Sequence, residues 1–205
     1  MRGLLVKLQI RDAIPGDYER AIPLIYSSGP YAFDYVFLEN GKTAQDFLRF
    51  AFRKRGNTFS YSNHAVACSD ELVIGTIVHF EQPEFSFLSL GTAIAIMQFY
   101  GWNSFKVLLR GILMESLIQP PRRNRLYLGH IAVDEKFRRR GIGSDLIRFC
   151  QDKFGNRKIL ALDVSAVNDS ACSVYRKFGF KEIEKRDFKD RSAKIPSHFY
   201  METNL

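Results

Sequence analysis

The sequence predicts one α/β (α+β) domain, and three observations carry that prediction. Short β-rich runs alternate with segments of helical periodicity along the whole chain. The run Arg125 to Val133 passes through a tight glycine-containing turn directly into a helix. An uncharged, helix-patterned stretch interrupts the series between the third and fourth strands. With 205 residues, 46% of them hydrophobic, the chain can bury a single core. Charged residues, 25% of the total, are scattered and form no low-complexity tract. The expected organisation is one domain over 1–205 with a helical insertion at about 83–121.

The elements follow in order. Val6 to Arg11 alternates as a strand, and Ile14-Pro15-Gly16-Asp17 turns the chain, with Asp17 placed to cap a helix over Tyr18 to Ser27. Ser28-Gly29-Pro30-Tyr31 reads as a loop. Thr43 caps a second helix running to Arg53, with Ala44, Phe47, Leu48 and Ala51 on one face. His64 to Cys68 and Leu72 to Phe80, joined by Ser69-Asp70-Glu71, form an antiparallel hairpin. In the insertion, Leu88 to Tyr100 and Lys106 to Ile118 read as two helices broken near Gly101, and Pro120-Pro121 closes the segment.

Beyond the insertion, Arg125 to Val133 is a strand, and Ile142, Leu146, Phe149, Cys150 and Phe154 recur at helical spacing. Lys158 to Ser165 is the next strand. Asp169 caps a helix through Phe178, which carries Ala171, Val174, Tyr175 and Phe178 on one face, and Gly179 ends it. Phe180 to Phe188 and His198 to Thr203 are the last strands.

The net charge of +8 suits a polyanionic partner, whether nucleic acid, an anionic membrane surface or a phosphorylated small molecule. Cys68, Cys150 and Cys172 lie far apart, with no C-x-x-C and no His at metal-ligand spacing. That pattern supports neither a zinc site nor a disulfide framework, and it points to a reducing cytoplasm. Met1 to Ile10 lacks the sustained apolar core of a signal peptide. Phe85 to Phe105 carries no charge, but its serines, glycines and amides dilute it. A buried or partner-facing insert, including a homodimer contact, is expected ahead of a membrane association.

The chemistry concentrates at Arg138-Arg139-Arg140-Gly141-Ile142-Gly143-Ser144. Glycines let the backbone approach an anion closely, the first free amides of a helix point at it, and the helix dipole favours its charge. Three arginines add donors matched to phosphate. The turn is not a Rossmann fingerprint, which needs G-x-G-x-x-G with an acidic residue about twenty positions on. Nor is it a Walker A loop, since G-x-x-x-x-G-K-[ST] is absent.

His130-Ile131-Ala132-Val133, followed after seven residues by Gly141-Ile142-Gly143, resembles the acetyl-CoA motif of the GNAT acetyltransferase superfamily. Asn168-Asp169-Ser170-Ala171 with Tyr175-Arg176-Lys177-Phe178-Gly179-Phe180 is similar to that family's downstream element. The resemblance is specific over Leu126 to Ile183. It implies a mixed, mostly antiparallel central sheet and N-acetyl transfer from acetyl-CoA to a primary amine on a small molecule or peptide, with no metal. It further implies that the amides of Arg138, Arg139, Arg140, Gly141, Ile142, Gly143 and Ser144 hold the pyrophosphate. Ile131, Ala132 and Val133 would pair with the pantetheine arm where two strands splay, and Asn168 and Ala171 would flank it.

In the family reaction a neutral amine attacks the thioester directly and coenzyme A leaves as a thiolate. Tyr175 suits the role of general acid, because a phenol stays protonated at neutral pH and outlasts a thiol as proton holder. The base is open between His130, Glu81 and a water relay. The family position on this strand matches Tyr127 or Gly129, and strand parity turns His130 to the other face unless a bulge intervenes. Two other readings stand beside the enzyme: a non-catalytic acyl-CoA-binding module, and a basic nucleic-acid-binding protein, for which no recognised motif is present.

Overall fold

The computed structural model describes residues 8–154 and 158–203. Among them, seven strands form one sheet in the order β1-β2-β3-β4-β5-β7-β6. The strands are β1 (Leu8–Asp12), β2 (His64–Ser69), β3 (Leu72–Phe80), β4 (Arg125–Val133), β5 (Ile159–Ser165), β6 (Phe180–Arg186) and β7 (His198–Thr203). Val6 and Lys7 of the expected first strand lie outside the described residues. Every pairing is antiparallel except β4 with β5. The α+β, mostly antiparallel expectation holds.

Helices cover both faces. On one side, α1 (Tyr18–Ser27), α2 (Pro30–Phe37) and α3 (Ala44–Phe52) pack with the insertion helices α4 (Glu84–Tyr100) and α5 (Ser104–Met114) around Phe47, Phe52, Ile22 and Val107. On the other, α6 (Ile142–Phe154) and α7 (Asp169–Phe178) seal Leu126, Leu128, Leu146 and Leu162. A third, smaller core joins Phe80, Tyr127 and Tyr200 to the start of α4.

Local chemistry explains the boundaries and three departures from expectation. Thr43 accepts the Asp46 amide, and Asp46 answers at the Thr43 amide, a capping box for α3. Asp17 does not cap α1. Its carboxylate instead clamps Arg11 through two bonds of 2.8 Å and takes the Ile14 amide, so a buried ion pair outcompetes the cap. Asn168, one residue before Asp169, caps α7 by accepting the Ala171 amide at 3.1 Å. The expected loop at 28–31 ends early: Pro30 occupies the first position of α2, where its missing N–H costs nothing, and burial of Phe33, Val36 and Phe37 holds the helix.

The insertion docks through close approach. A Cβ on Gly91 would lie 1.7 Å from the Gly56 carbonyl oxygen, so only glycine lets α4 sit at this distance. Beside it, Thr92 Oγ1 accepts the Thr58 amide at 2.9 Å. Tyr100 Oη donates to the Phe37 carbonyl at 2.6 Å, and Arg110 donates to Glu39 at 2.7 Å. These bonds tie both insertion helices to the α2–α3 layer.

Two irregularities in the sheet prepare the site. Between β3 and β4, Thr76 faces Ala132 while Val78 faces Gly129, so β4 carries one extra residue. That residue falls at His130, whose φ of 48° is left-handed, and the bulge reverses the parity expected of its side chain. The parallel β4–β5 pairing covers only Arg125 to Tyr127 opposite Ile159 to Ala161. Beyond it the strands diverge and leave the rest of β4 unpaired on that edge.

Candidate active site

A cleft of about 1210 Å³ runs through the divergence of β4 and β5. Its first half is built from backbone. Gly141, at φ 83°, and Arg139, at φ 62°, turn the chain into α6, whose first bonded amide is that of Asp145 to Gly141 at 3.0 Å. The Ile142, Gly143 and Ser144 amides precede that bond and have no intrahelical acceptor. A Cβ on Gly143 would meet nothing within 4 Å, so open space lies in front of these donors. Donors, dipole and space together fit a pyrophosphate.

The arginines behave differently from one another. Arg138 and Arg139 line the cleft, with Arg138 Nε donating to the Val133 carbonyl at 3.1 Å. Arg140 does not line it: the guanidinium stacks 5.3 Å over Phe137 and donates to the Lys136 carbonyl at 3.3 Å. Asp134 caps this loop by accepting the Lys136 amide at 3.0 Å. Ile131, Ala132 and Val133 border the same space from the unpaired edge of β4, and Asn168, Ala171 and Tyr175 close it from α7. Tyr175 is 8% exposed, its ring set edge-on to Phe180, and burial raises its phenol above the ordinary range.

The second half is built from side chains drawn from distant parts of the chain. Phe33 and Phe37 of α2, Phe59, Phe85 and Ile96 of α4 and Met114 of α5 form apolar walls. The insertion therefore completes this half of the cleft. Glu81, just past the lining residue Phe80, is not among the lining residues; its carboxylate pairs with Lys158.

His130 enters this half because of the bulge. Its ring stacks on Phe59 at 5.7 Å and 8°, and Nδ1 lies 3.2 Å from Nε2 of the buried His64. His64 Nδ1 lies 2.8 Å from the Ser60 carbonyl, which can only accept. Burial holds His64 neutral, well below the usual histidine range, and lowers His130 to about 4. His64 must then carry its proton on Nδ1, and its Nε2 accepts from His130 Nδ1–H. His130 Nε2 is left with a free lone pair.

Asp163 was not singled out from the sequence. It stands on β5 just beyond Ala161, the last residue paired with β4, lines the cleft, and accepts the Tyr127 hydroxyl at 3.0 Å and Arg186 at 3.2 Å. Burial pushes its carboxyl up to about 7, against the lowering influence of Arg186 and Tyr127. Its sequence signal was slight: one acidic residue within an otherwise apolar strand, Ile159 to Ser165.

The comparisons agree with this geometry. The model of the Acetyltransferase (GNAT) family matches residues 31–180. Among solved structures, an N-acetyltransferase from Staphylococcus aureus Mu50 superposes with a TM-score of 0.73 at 16% identity, covering 95% of this chain and 100% of that one. Ard1 from Thermoplasma volcanium gives 0.54 at 20% identity, covering 95% of each chain. PaiA N-acetyltransferase from Thermoplasma acidophilum, solved in complex with coenzyme A, gives 0.54 at 15% identity over 97% of this chain and 99% of that one. No curated protein matches the sequence. The chain belongs to the GNAT family of acetyltransferases, and it is an N-acetyltransferase that uses acetyl-CoA.

Proposed function

We propose that the protein acetylates a primary amine carried on an apolar, preferably aromatic, body. The observation that carries this reading is the contrast within the cleft: the half opposite the free amides is walled by Phe33, Phe37, Phe59, Phe85, Ile96 and Met114. Apolar walls reward an apolar acceptor by about 0.8 kcal/mol per buried methylene. A polycationic acceptor would lose hydration against these walls, with only Asp163, Glu115 and Glu135 among the described lining residues to offset it.

Acetyl-CoA supplies the electrophilic thioester carbonyl, and this chain's residues do the rest. The amides of Arg139 and of Gly141 to Ser144 hold the pyrophosphate, since Arg140 stands outside the cleft and the Arg138 amide already donates to the Glu135 carbonyl at 3.3 Å. The free edge at Ile131 and Val133 pairs with the pantetheine arm, and Asn168 and Ala171 border it. Tyr175 gives a proton to the departing thiolate. Asp163, reached through the Tyr127 hydroxyl, takes up the proton released by the amine, because a carboxyl titrating at about 7 is matched to neutral pH. His130 Nε2 accepts an N–H of the amine and orients it. Three buried free cysteines support a reducing, cytoplasmic setting.

The test is a set of amines compared by kcat/KM at fixed acetyl-CoA. Phenethylamine and hexylamine are expected to exceed spermidine and lysine by at least about tenfold, the equivalent of two buried methylenes. Equal rates, or a preference for spermidine, would exclude the apolar acceptor.

A further inference from the structure

The insertion has a second face that neither the core nor the cleft uses. On α4, Phe87, Leu90, Ile94 and Met97 point outward at helical spacing, with Phe87 73% exposed. At the corner between the helices Trp102 is wholly exposed at 102%, and Phe105 follows at 74%. Met97, Trp102 and Phe105 share one shallow depression. A surface helix apolar on its outer as well as its inner side is built to be covered.

Charge decides by what. Lysines ring the corner: Lys42 donates to the Phe99 carbonyl, Lys54 donates to Gln98 Oε1 at 3.0 Å, and Lys106, in the first turn of α5 with 68% of its side chain exposed, lies 3.6 Å from Glu39. Residues 85–114 contain no Asp or Glu at all. The nearby carboxylate of Glu39 is already held by Arg110 at 2.7 Å. A second copy docking through this face would bring lysines against lysines with no free acid between them. A wholly exposed tryptophan and phenylalanines ringed by cations match the boundary between acyl chains and anionic headgroups.

We propose that the α4–α5 corner docks on the surface of an anionic lipid bilayer. The helices lie on the bilayer and do not cross it. Glu84–Met114 is long and apolar enough to span, but Ile96, Tyr100, Val107 and Met114 on its inner side are buried in the domain core. Spanning would strip those residues from the core and break the Tyr100 bond to Phe37.

Trp102 is the chain's single tryptophan, so its fluorescence reports on the proposed contact alone. The full-length protein is mixed with phosphatidylcholine vesicles, with and without phosphatidylglycerol. Blue-shifted emission and co-sedimentation with the anionic vesicles, both reversed by salt, are expected. Phe87→Ser with Leu90→Ser and Phe105→Ser should weaken binding by about tenfold or more, since each removes a large apolar side chain. Lys54→Gln with Lys106→Gln should weaken it by about tenfold on anionic vesicles only. Both variants should keep the wild-type acetyl-CoA-induced rise in Tm, which shows that they fold. Emission unchanged by anionic vesicles, with the protein left in the supernatant, would overturn the proposal. So would a blue shift that needs only higher protein concentration, because a second copy would then be the occupant.

Discussion

The two halves of the cleft are made in different ways. The half proposed for the cofactor is a local object: Arg138 to Ser144 are consecutive, and the direction of the amides there follows from two left-handed residues and a helix start. The half proposed for the acceptor is assembled from α2, the segment after α3, β4, β5 and both insertion helices, and its walls are side chains. A backbone site tolerates sequence change as long as the turn survives. A side-chain site is redefined by each substitution in its walls, so one half can stay constant while the other sets the acceptor.

The largest effect that would test this contrast is in the acceptor half. Asp163→Asn keeps the shape and the Tyr127 contact but removes the proton acceptor. Turnover should fall by about 10²-fold or more while the acetyl-CoA dissociation constant stays unchanged. The wild-type pH profile should rise through about pH 7, since the carboxyl is raised to that value and acts when deprotonated. A profile that keeps this inflection in Asp163→Asn would remove Asp163 from the chemistry.

Next comes the cofactor half. Gly143→Asp sets a carboxylate in the open space before the helix amides, and its Cβ strikes nothing. Wild type at 100 times the dissociation constant should gain about 2.7 kcal/mol from acetyl-CoA. The folded variant should gain almost none, whichever amine is present. A retained Tm shift would move the pyrophosphate elsewhere.

The smallest effect concerns pH and stability. His130 titrates at about 4 in the folded chain, below its unfolded value near 6.5. Between those values the unfolded chain takes up a proton that the folded one does not, so stability is full above about pH 6.5 and is lost as pH falls toward 4. His130→Gln should remove about 1 to 2 kcal/mol of the stability lost between pH 7 and 5, read as a flatter decline of Tm in thermal unfolding. An unchanged slope would mean that His130 is not buried as a neutral ring.

Elements with strong local signals could be read directly. The Thr43 cap, the hairpin turn at 69–71, the Arg138 to Ser144 turn and Gly179, at φ 103°, each depend on residues close to one another along the chain. α2 was hidden because Ser-Gly-Pro is a turn signal that burial of Phe33 and Phe37 overrides. Asp163 was hidden because a lone acid in a strand gains its meaning only from Tyr127 and Arg186, which lie 36 and 23 residues away.

The sequence by itself determined the order of the strands and of the α-helices other than α2, the family, and a glycine-bearing strand-to-helix turn suited to an anion, since each is written in short-range spacing and in the fixed geometry of glycine, caps and helix ends. Tertiary structure alone decided three things. The register slip at His130 turns that ring into the cleft. The close approach at Gly91 makes the insertion a wall. Burial neutralises His64 and His130 and raises Asp163. Desolvation and packing depend on what the rest of the chain brings to a residue, and no window of neighbouring letters contains that information.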